Sequence, residues 1–163
     1  MKFTNSLIKG KLLKRYKRFF ADIKVNNKII TAHCPNTGSM QGLLDQDNEV
    51  LVTKHNDPKR KLKFTLEIIK AKKRYVGVNT HRANKIVNHG LENKLISEFK
   101  TIKNIKPEFK FSDDTRFDFL CDSYLIEVKN VTLFRENDIA EFPDAVTSRG
   151  TKHLNMLIKS IKK

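Results

Sequence analysis

Two carboxylates and a lysine in the segment 116–129 are the residues best suited to chemistry. Asp118 precedes the dipeptide Asp122-Ser123, and Glu127-Val128-Lys129 follows it. If that dipeptide is a two-residue turn, the flanking segments pair as an antiparallel hairpin in which Cys121 faces Tyr124 and Asp118 faces Glu127. Strand alternation then predicts that both carboxylates share one face with Arg116 and Lys129.

The opposite face of this predicted hairpin is apolar and is expected to be core. It collects Phe117, Phe119, Cys121, Tyr124, Ile126 and Val128. Burial of this face would fix the register, because a slip of one residue would turn every apolar side chain to solvent.

Directly opposed carboxylates should have Cβ atoms about 4.5 to 5.5 Å apart, and like charges in that arrangement repel. A divalent cation such as Mg²⁺ or Mn²⁺ would offset the repulsion, since hard cations bind carboxylate oxygens together with substrate phosphates. The metal would activate a water, and Lys129 would hold that water or the developing phosphate charge. A surface patch compensated by Arg116 and Lys129 explains the same spacing without any ligand.

The elements that position this hairpin differ between the two halves of the chain. Six short β-rich segments are predicted in the first eighty residues, at 7–13, 19–25, 28–32, 50–53, 62–70 and 74–78. Because no convincing helix separates them, a small closed or nearly closed barrel is expected.

From Thr80 the hydrophobic period becomes helical. Thr80 is expected to cap a helix that stops near Gly90, with one or two further helical turns over 91–99. Strands follow near 109–111, 116–121 and 124–130. A last helix has one apolar stripe opposite its lysines; the stripe is Leu154, Leu157, Ile158 and Ile161, and the lysines are Lys152, Lys159 and Lys162. The chain is therefore predicted to be α+β, with domains at 1–79 and 80–163.

The net charge of +15 is concentrated in the first domain. Residues 1–80 hold 18 Lys and Arg against 6 Asp and Glu, a net of +12, and residues 81–163 hold 15 against 12, a net of +3. Such a surplus attracts polyanions, and nucleic acid is the partner that it indicates. Lysine serving only as a solvated residue is the alternative.

Two basic clusters are the candidate phosphate contacts: Arg15-Tyr16-Lys17-Arg18, and Lys59-Arg60-Lys61. Tyr16 or Phe19 can stack a base, although a solvated turn also explains the second cluster. Arg149 and His153, at the start of the last helix, are further candidates for phosphate contact.

The remaining features bound the cellular context. Cys34 and Cys121 are far apart and lack a CxxC partner, which favours a reducing compartment, and the cytoplasm is predicted. No apolar run reaches the ~18 residues of a membrane span, so no membrane association is expected. The oligomeric state is open, and a homodimer is compatible with the sequence.

The motifs together resemble one family. Asp118 with Glu127-Val128-Lys129 resembles the acid and E-x-K signature of PD-(D/E)XK nucleases. The full set is similar to the sugar fermentation stimulation protein family: Arg15–Phe19 as RYKRF, His33–Met40 as HCPNTGSM, Val78–Thr80 as VNT, Glu127–Leu133 as EVKNVTL, Phe142–Thr147 as FPDAVT, Arg149-Gly150, and His153-Leu154. The similarity runs from about Leu7 to the end of the chain.

This resemblance implies an OB-like barrel followed by a PD-(D/E)XK nuclease-like α/β domain. It also implies DNA binding and a regulatory role in sugar (maltose) metabolism. Because the sequence shows neither a recognition helix nor a base-reading constellation, weakly sequence-selective binding is expected. Asp118 and Glu127 would be metal ligands for Mg²⁺ or Mn²⁺, Lys129 the catalytic lysine, and Glu98 a candidate for the further acid that the first helix of such nucleases often supplies. Pro143-Asp144 is not the motif's proline and aspartate, because it follows the E-x-K.

The resemblance also implies at least one strand after the last helix, whereas this chain stops within that helix, so a C-terminally truncated form is expected. Three functions remain: a magnesium-dependent endonuclease, a non-catalytic DNA-binding regulator, and an RNA-binding or RNA-processing barrel.

Overall fold

The chain, seen in a computed structural model, folds into two compact units and is described for residues 1–134, 139–143 and 146–161. The first unit comprises Met1–His81 and Asn130–Ala145, and the second comprises Arg82–Lys129 and Val146–Lys163. The sequence predicted two consecutive blocks, 1–79 and 80–163. The structure differs in that the chain returns to the first unit after Lys129.

The first unit is built on a closed barrel. Its strands are β1 Leu7–Tyr16, β2 Phe20–Val25, β3 Lys28–His33, β4 Glu49–Lys54, β5 Phe64–Ala71 and β6 Arg74–Gly77. They are ordered β3-β2-β1-β4-β5-β6, and a parallel pairing of β3 with β5 closes the first five into a barrel. The predicted six strands and barrel are confirmed.

The inward face of the barrel explains why these segments form strands. In β2 buried apolar residues alternate with more accessible ones: Ala21 and Ile23 are buried, whereas Asp22 is half-buried and Lys24 is exposed. Leu12, Val50 and Leu66 join them in one continuous core. Removing each large aliphatic side chain from water contributes about 1.5 to 3 kcal/mol, which stabilises the closed form.

Cys34 belongs to this core and is a free, buried thiol. Its sulfur lies 3.7 Å from the sulfur of Met40. Burial raises the pKa of the Cys34 thiol, although the nearby Arg15 guanidinium opposes that shift. The thiol is therefore held neutral.

In the part of the chain that the structure describes, the remaining elements are two helices, a 3-10 turn and five strands. In the second unit the strands β7 Ile105–Ser112, β8 Thr115–Cys121 and β9 Tyr124–Ile126 form an antiparallel sheet in that order. In the first unit β10 Leu133–Phe134 pairs with β11 Ala140–Glu141. The helices are α1 His81–Glu92 and α2 Ser148–Ile161, and the 3-10 turn is Ser97–Phe99.

Helix α1 begins where it was predicted but continues past Gly90. Asn79 Oδ1 accepts from the N–H of His81 at its start. The prediction that Gly90 stops the helix was wrong, because Gly90 is a packing residue. A Cβ there would lie 3.2 Å from the Ile96 side chain. The backbone instead turns at Lys94, which has a φ of 55°.

The predicted last helix is confirmed as α2, but most of its apolar stripe is exposed. Leu154, Ile158 and Ile161 are 63%, 53% and 86% exposed, and only Leu157 of the four is half-buried. The half-buried row also contains His153, one turn before Leu157. His153 makes a polar contact with Glu127 within the second unit. Lys162 lies outside the described residues, as does Asp144.

No helix in the described ranges is long and apolar enough to cross a bilayer.

Gly10 and Gly77 provide a matched test of barrel packing. A Cβ at Gly10 would lie 2.6 Å from Ile23 Cγ2 and 2.9 Å from the Lys24 carbonyl oxygen, whereas one at Gly77 would meet nothing within 4 Å. We expect Gly10→Ala to lower the free energy of unfolding by about 1 to 3 kcal/mol, as other overpacked sites do. Gly77→Ala should be neutral or slightly stabilising. Urea denaturation checks both, and equal stabilities of the two variants would contradict this account.

Candidate functional site

The hairpin β8–β9 has the predicted register but is shorter than predicted. Cys121 pairs with Tyr124, and the ladder ends at Phe119 with Ile126. Asp118 and Glu127 would be the next pair of this ladder, but the pairing predicted for them is not formed. The predicted pairing of Arg116 with Lys129 is not formed, because the ladder between β8 and β9 ends before it reaches them. On its other edge β8 pairs with β7, where Arg116 lies opposite Lys110.

The side chain of Asp118 explains why the ladder stops. Its Oδ2 accepts a hydrogen bond of 2.6 Å from the N–H of Val128. In a longer ladder that N–H would instead donate to a backbone carbonyl of β8. Asp118 Oδ1 accepts at 2.6 Å from Nδ2 of Asn84 in α1. Both oxygens are thus engaged, and the backbone beside Glu127 is fixed against β8.

Glu127 is the most enclosed charged residue of the site. Its side chain is 9% exposed, and its Oε1 lies 2.5 Å from Lys129 Nζ and also contacts His153 Nδ1. The side chains of Lys129 and His153 are 34% and 14% exposed. A carboxylate this enclosed requires such partners, because an unpaired buried charge is strongly unfavourable.

The predicted core face of the hairpin is mostly confirmed. Phe117, Phe119 and Cys121 are buried, and Val128 packs partly buried against their cluster. Ile126 does the same. Tyr124 was wrongly assigned to the core: it is 57% exposed. At the end of a three-residue strand it contacts the Phe99 ring edge-on, with centroids 5.7 Å apart.

Asp122 fixes the turn on which the hairpin depends. It has a φ of 50°, and its carboxylate accepts from the N–H of Lys103 and from both the N–H and Nδ2 of Asn104 at 3.0 to 3.1 Å. These hydrogen bonds, the Lys103 N–H first, lower the pKa of Asp122 below 3.8. The charged form is therefore the one that the fold prefers.

This shift predicts a pH-dependent contribution to stability. A carboxyl whose folded pKa is depressed stabilises the fold fully above its unfolded pKa and loses that contribution as pH falls through the folded pKa. We expect Asp122→Asn to unfold at lower urea than the parent at pH 7, with the difference shrinking below about pH 4. A difference that stayed constant from pH 7 to pH 3 would contradict it.

Asn84 is the site residue that the sequence prediction missed. It lies one turn before Val87 and two turns before Leu91 on α1, and both of those pack in the second unit's core. The spacing i, i+3 and i+7 places the polar Asn84 on the same helix face as these two apolar residues. A polar residue at the end of an apolar face is the sequence signal that could have identified Asn84.

Glu98 was the predicted first-helix acid, and the structure does not bring it together with Asp118. It lies in the 3-10 turn, and its Oε2 accepts from Ser97 Oγ at 2.6 Å. That hydrogen bond lowers the pKa of Glu98. The residue of α1 that contacts Asp118 is an amide, Asn84.

The carboxylates near the end of the hairpin are the oxygen donors to consider for a metal ion. In the described part of the chain, no group of three or more His, Cys, Asp and Glu side chains could hold a metal ion. Two carboxylates, Asp118 and Glu127, remain as hard oxygen donors. Mg²⁺ is commonly held by one or two carboxylates with substrate phosphates and waters, so this pair fits that mode.

The predicted DNA-contacting residues are spread over both units. In the first unit Arg15 donates to the carbonyl oxygens of Arg18 and Asn36, at 3.1 and 2.8 Å, and so braces the turn between β1 and β2. Lys17 and Arg18 form that turn, both with positive φ.

The second basic cluster is also partly anchored. Arg60 Nη2 donates to Thr65 Oγ1 at 3.0 Å, and the N–H of Lys59 donates to Asp57 Oδ1 at 2.9 Å. Lys61 is exposed. In the second unit Arg149 is exposed in the first turn of α2.

Family models match both parts of the chain. Residues 13–78 match the model described as "SfsA N-terminal OB domain", and residues 81–163 match the "Sugar fermentation stimulation protein RE domain".

Curated relatives match along nearly the whole chain. A "sugar fermentation stimulation protein homolog" of Pelagibacter ubique is 64% identical over 167 residues, which cover 100% of this chain and 72% of the relative. A homolog of the same description from Alteromonas mediterranea is 45% identical, covering 94% of this chain and 69% of its own length.

A solved structure has the same fold. It is described as Pyrococcus furiosus SfsA in complex with Ca²⁺, and it superposes with a TM-score of 0.84 at 23% sequence identity. The match covers 98% of this chain and 68% of that chain. The N-terminal OB barrel followed by an α/β domain is thus shared between the two.

Proposed function

Because this chain belongs to the sugar fermentation stimulation protein family, we propose that it is a DNA-binding protein whose second unit carries a metal-dependent phosphodiesterase site of the nuclease type. The observation that carries the proposal is the joining of Asp118 to the segment of Glu127 and Lys129 through the N–H of Val128. It holds Asp118 against the backbone between Glu127 and Lys129. Two carboxylates and a lysine are the residue types that phosphodiester hydrolysis with a divalent cation requires.

Each residue has a separate task in this proposal. Asp118 and Glu127 would hold Mg²⁺ or Mn²⁺, which supplies Lewis acidity and a hydroxide-like water when bound. Asn84 fixes the rotation of the Asp118 carboxylate by donating to Oδ1. Lys129 Nζ stays next to Glu127, where it can stabilise the negative charge that develops on phosphate. The Ca²⁺ complex of the Pyrococcus furiosus protein supports the choice of a hard, oxygen-seeking ion.

We expect Mg²⁺ or Mn²⁺ to support nicking of supercoiled DNA, and Asp118→Asn or Lys129→Ala to lower the rate at least about 100-fold. Loss of a metal ligand or of one charge-stabilising donor has effects of that order. An agarose-gel time course across a metal titration measures the rate.

Lys110→Ala is the matched control for Lys129→Ala. Lys110 belongs to the same unit and lies outside the candidate site. Like Lys129 it forms an ion pair, with its Nζ 2.7 Å from Asp113 Oδ1. Its variant should cleave like the parent. DNA left intact by the parent at every metal concentration, with binding retained, would reject the catalytic part of the proposal.

A non-catalytic DNA-binding regulator is the second candidate, and one observation favours it. Both oxygens of Asp118 and Oε1 of Glu127 already accept hydrogen bonds within the chain. These contacts satisfy the carboxylates structurally. Under this alternative the chain acts in the regulation of sugar (maltose) metabolism by binding DNA, and Asp118→Asn costs stability without any change in DNA chemistry.

The DNA-binding part of the proposal rests on the cationic first unit, with a net charge of +12 over residues 1–80. Lys17 and Arg18 are the tested pair, because Arg15 is occupied in bracing their turn. Phosphate contacts release counterions, so the logarithm of affinity falls linearly with the logarithm of salt concentration.

We expect the double variant Lys17→Gln, Arg18→Gln to bind duplex DNA more weakly and to reduce the salt slope by about two, one for each lost phosphate contact. Fluorescence anisotropy at several salt concentrations measures the slope. Lys72→Gln with Lys73→Gln removes the same charge from the turn between β5 and β6 and should reduce the slope less. Equal slopes for the two double variants would show that only overall charge matters.

A further inference from the structure

The outer surface of β1 and β2 carries a compact group of aromatic and charged side chains. The register pairs Lys11 with Lys24, Lys14 with Asp22, and Tyr16 with Phe20. Intervening partners on these strands, such as Leu12 and Ile23, are fully buried. The six paired residues therefore point away from the barrel core, and we call this surface the aromatic face: Lys11, Lys14, Tyr16, Phe20, Asp22 and Lys24.

Two rings at one end of the aromatic face are held parallel. The centroids of Tyr16 and Phe20 are 5.4 Å apart, with an angle of 14° between their planes. The Tyr16 hydroxyl lies 3.3 Å from Asp22 Oδ1, and that oxygen also accepts from Thr31 Oγ1 of β3 at 2.8 Å. Three strands thus fix the orientation of the stack, so little side-chain entropy remains to be lost when a third flat ring packs on it.

The charges around the rings are mostly positive. Lys14 Nζ is 5.4 Å from the Tyr16 ring centroid and 3.7 Å from Asp22 Oδ2. Lys11 and Lys24 are exposed and directly opposed across the two strands. Like charges in that position destabilise a sheet, and an anion bound between them would remove the repulsion. Lys14 and Asp22 thus lie beside the aromatic stack, and the pair of Lys11 and Lys24 lies farther along the same two strands.

We propose that the aromatic face binds unpaired bases of a single-stranded nucleic acid, with the backbone phosphates between Lys11 and Lys24. This inference rests on the proposed nucleic-acid binding and names its substrate. A flat base stacks on an exposed ring whatever its identity, and a cationic groove follows the backbone. In a duplex the base faces are already stacked on one another, so the rings favour unpaired strands.

The test uses the full chain without divalent metal, so that cleavage does not enter. Fluorescence anisotropy gives the affinities for labelled thymidine and uridine oligonucleotides of about 15 nucleotides, within the range of single OB folds, and for a duplex of equal length. Phe20→Leu retains an apolar side chain but removes the ring. Tyr75→Leu is the matched control, since Tyr75 also has a lysine over its ring, Lys70 at 5.3 Å, and a carboxylate, Glu49, at its hydroxyl.

We expect the parent to prefer a single strand to the duplex, and Phe20→Leu to weaken single-strand binding about tenfold with little effect on the duplex. Tenfold corresponds to about 1.4 kcal/mol, a typical value for one base stacked on an aromatic side chain. Tyr75→Leu should bind like the parent. The ratio of thymidine to uridine affinities then identifies DNA or RNA as the source of the strand.

Two negative outcomes differ in what they overturn. If the parent binds single strand and duplex alike and Phe20→Leu changes neither, the aromatic face has no part in binding, while nucleic-acid binding itself stands. If the parent binds none of the oligonucleotides, the proposed DNA binding fails together with this inference. Far-ultraviolet circular dichroism of Phe20→Leu separates lost binding from lost fold. A folded Tyr16→Leu variant with parent-like single-strand affinity would also overturn the proposal.

Discussion

The hydrogen bonds of Asp118 are the constraint on which the candidate site depends. One carboxylate joins helix α1, through Asn84 Nδ2, to the chain beyond β9, through the N–H of Val128. Charged acceptors form stronger hydrogen bonds than neutral ones, and both bonds here measure 2.6 Å. The hairpin ladder ends at Ile126 for this reason, and the segment that follows is placed by a side chain instead of by a strand partner.

The position of Glu127 follows from that of Asp118. With the N–H of Val128 directed at Asp118, Glu127 is left outside the ladder, where its Oε1 meets Lys129 and His153. His153, which makes that contact, belongs with Leu157 to the half-buried row of α2. Leu154 and Ile158 lie outside this row and are exposed.

Local periodicity allowed much of the fold to be predicted from the sequence. β-Rich composition located all six barrel strands, and the Asp122-Ser123 turn set the pairing of Cys121 with Tyr124. The failures involve contacts made outside the local period of a helix or strand. Gly90 has the type of a helix stop but is required by the Ile96 side chain, and the bond between Asn84 and Asp118 joins residues 34 positions apart. No periodicity signals the return of 130–145 to the first unit.

The energetics of the site also bear on the choice between a nuclease and a regulator. Glu127, only 9% exposed, keeps two charged or chargeable partners where an apolar cluster of equal volume would stabilise a fold as well or better. On a surface that only binds DNA, carboxylates such as Asp118 and Glu127 repel phosphate and weaken the complex. A bound divalent cation turns this repulsion into attraction, because the two carboxylates become ligands of an ion that the phosphate also binds. The two carboxylates would therefore lower the affinity for DNA in a metal-free regulator and raise it in a metal-dependent phosphodiesterase. This argument supports the nuclease-type proposal over the regulator.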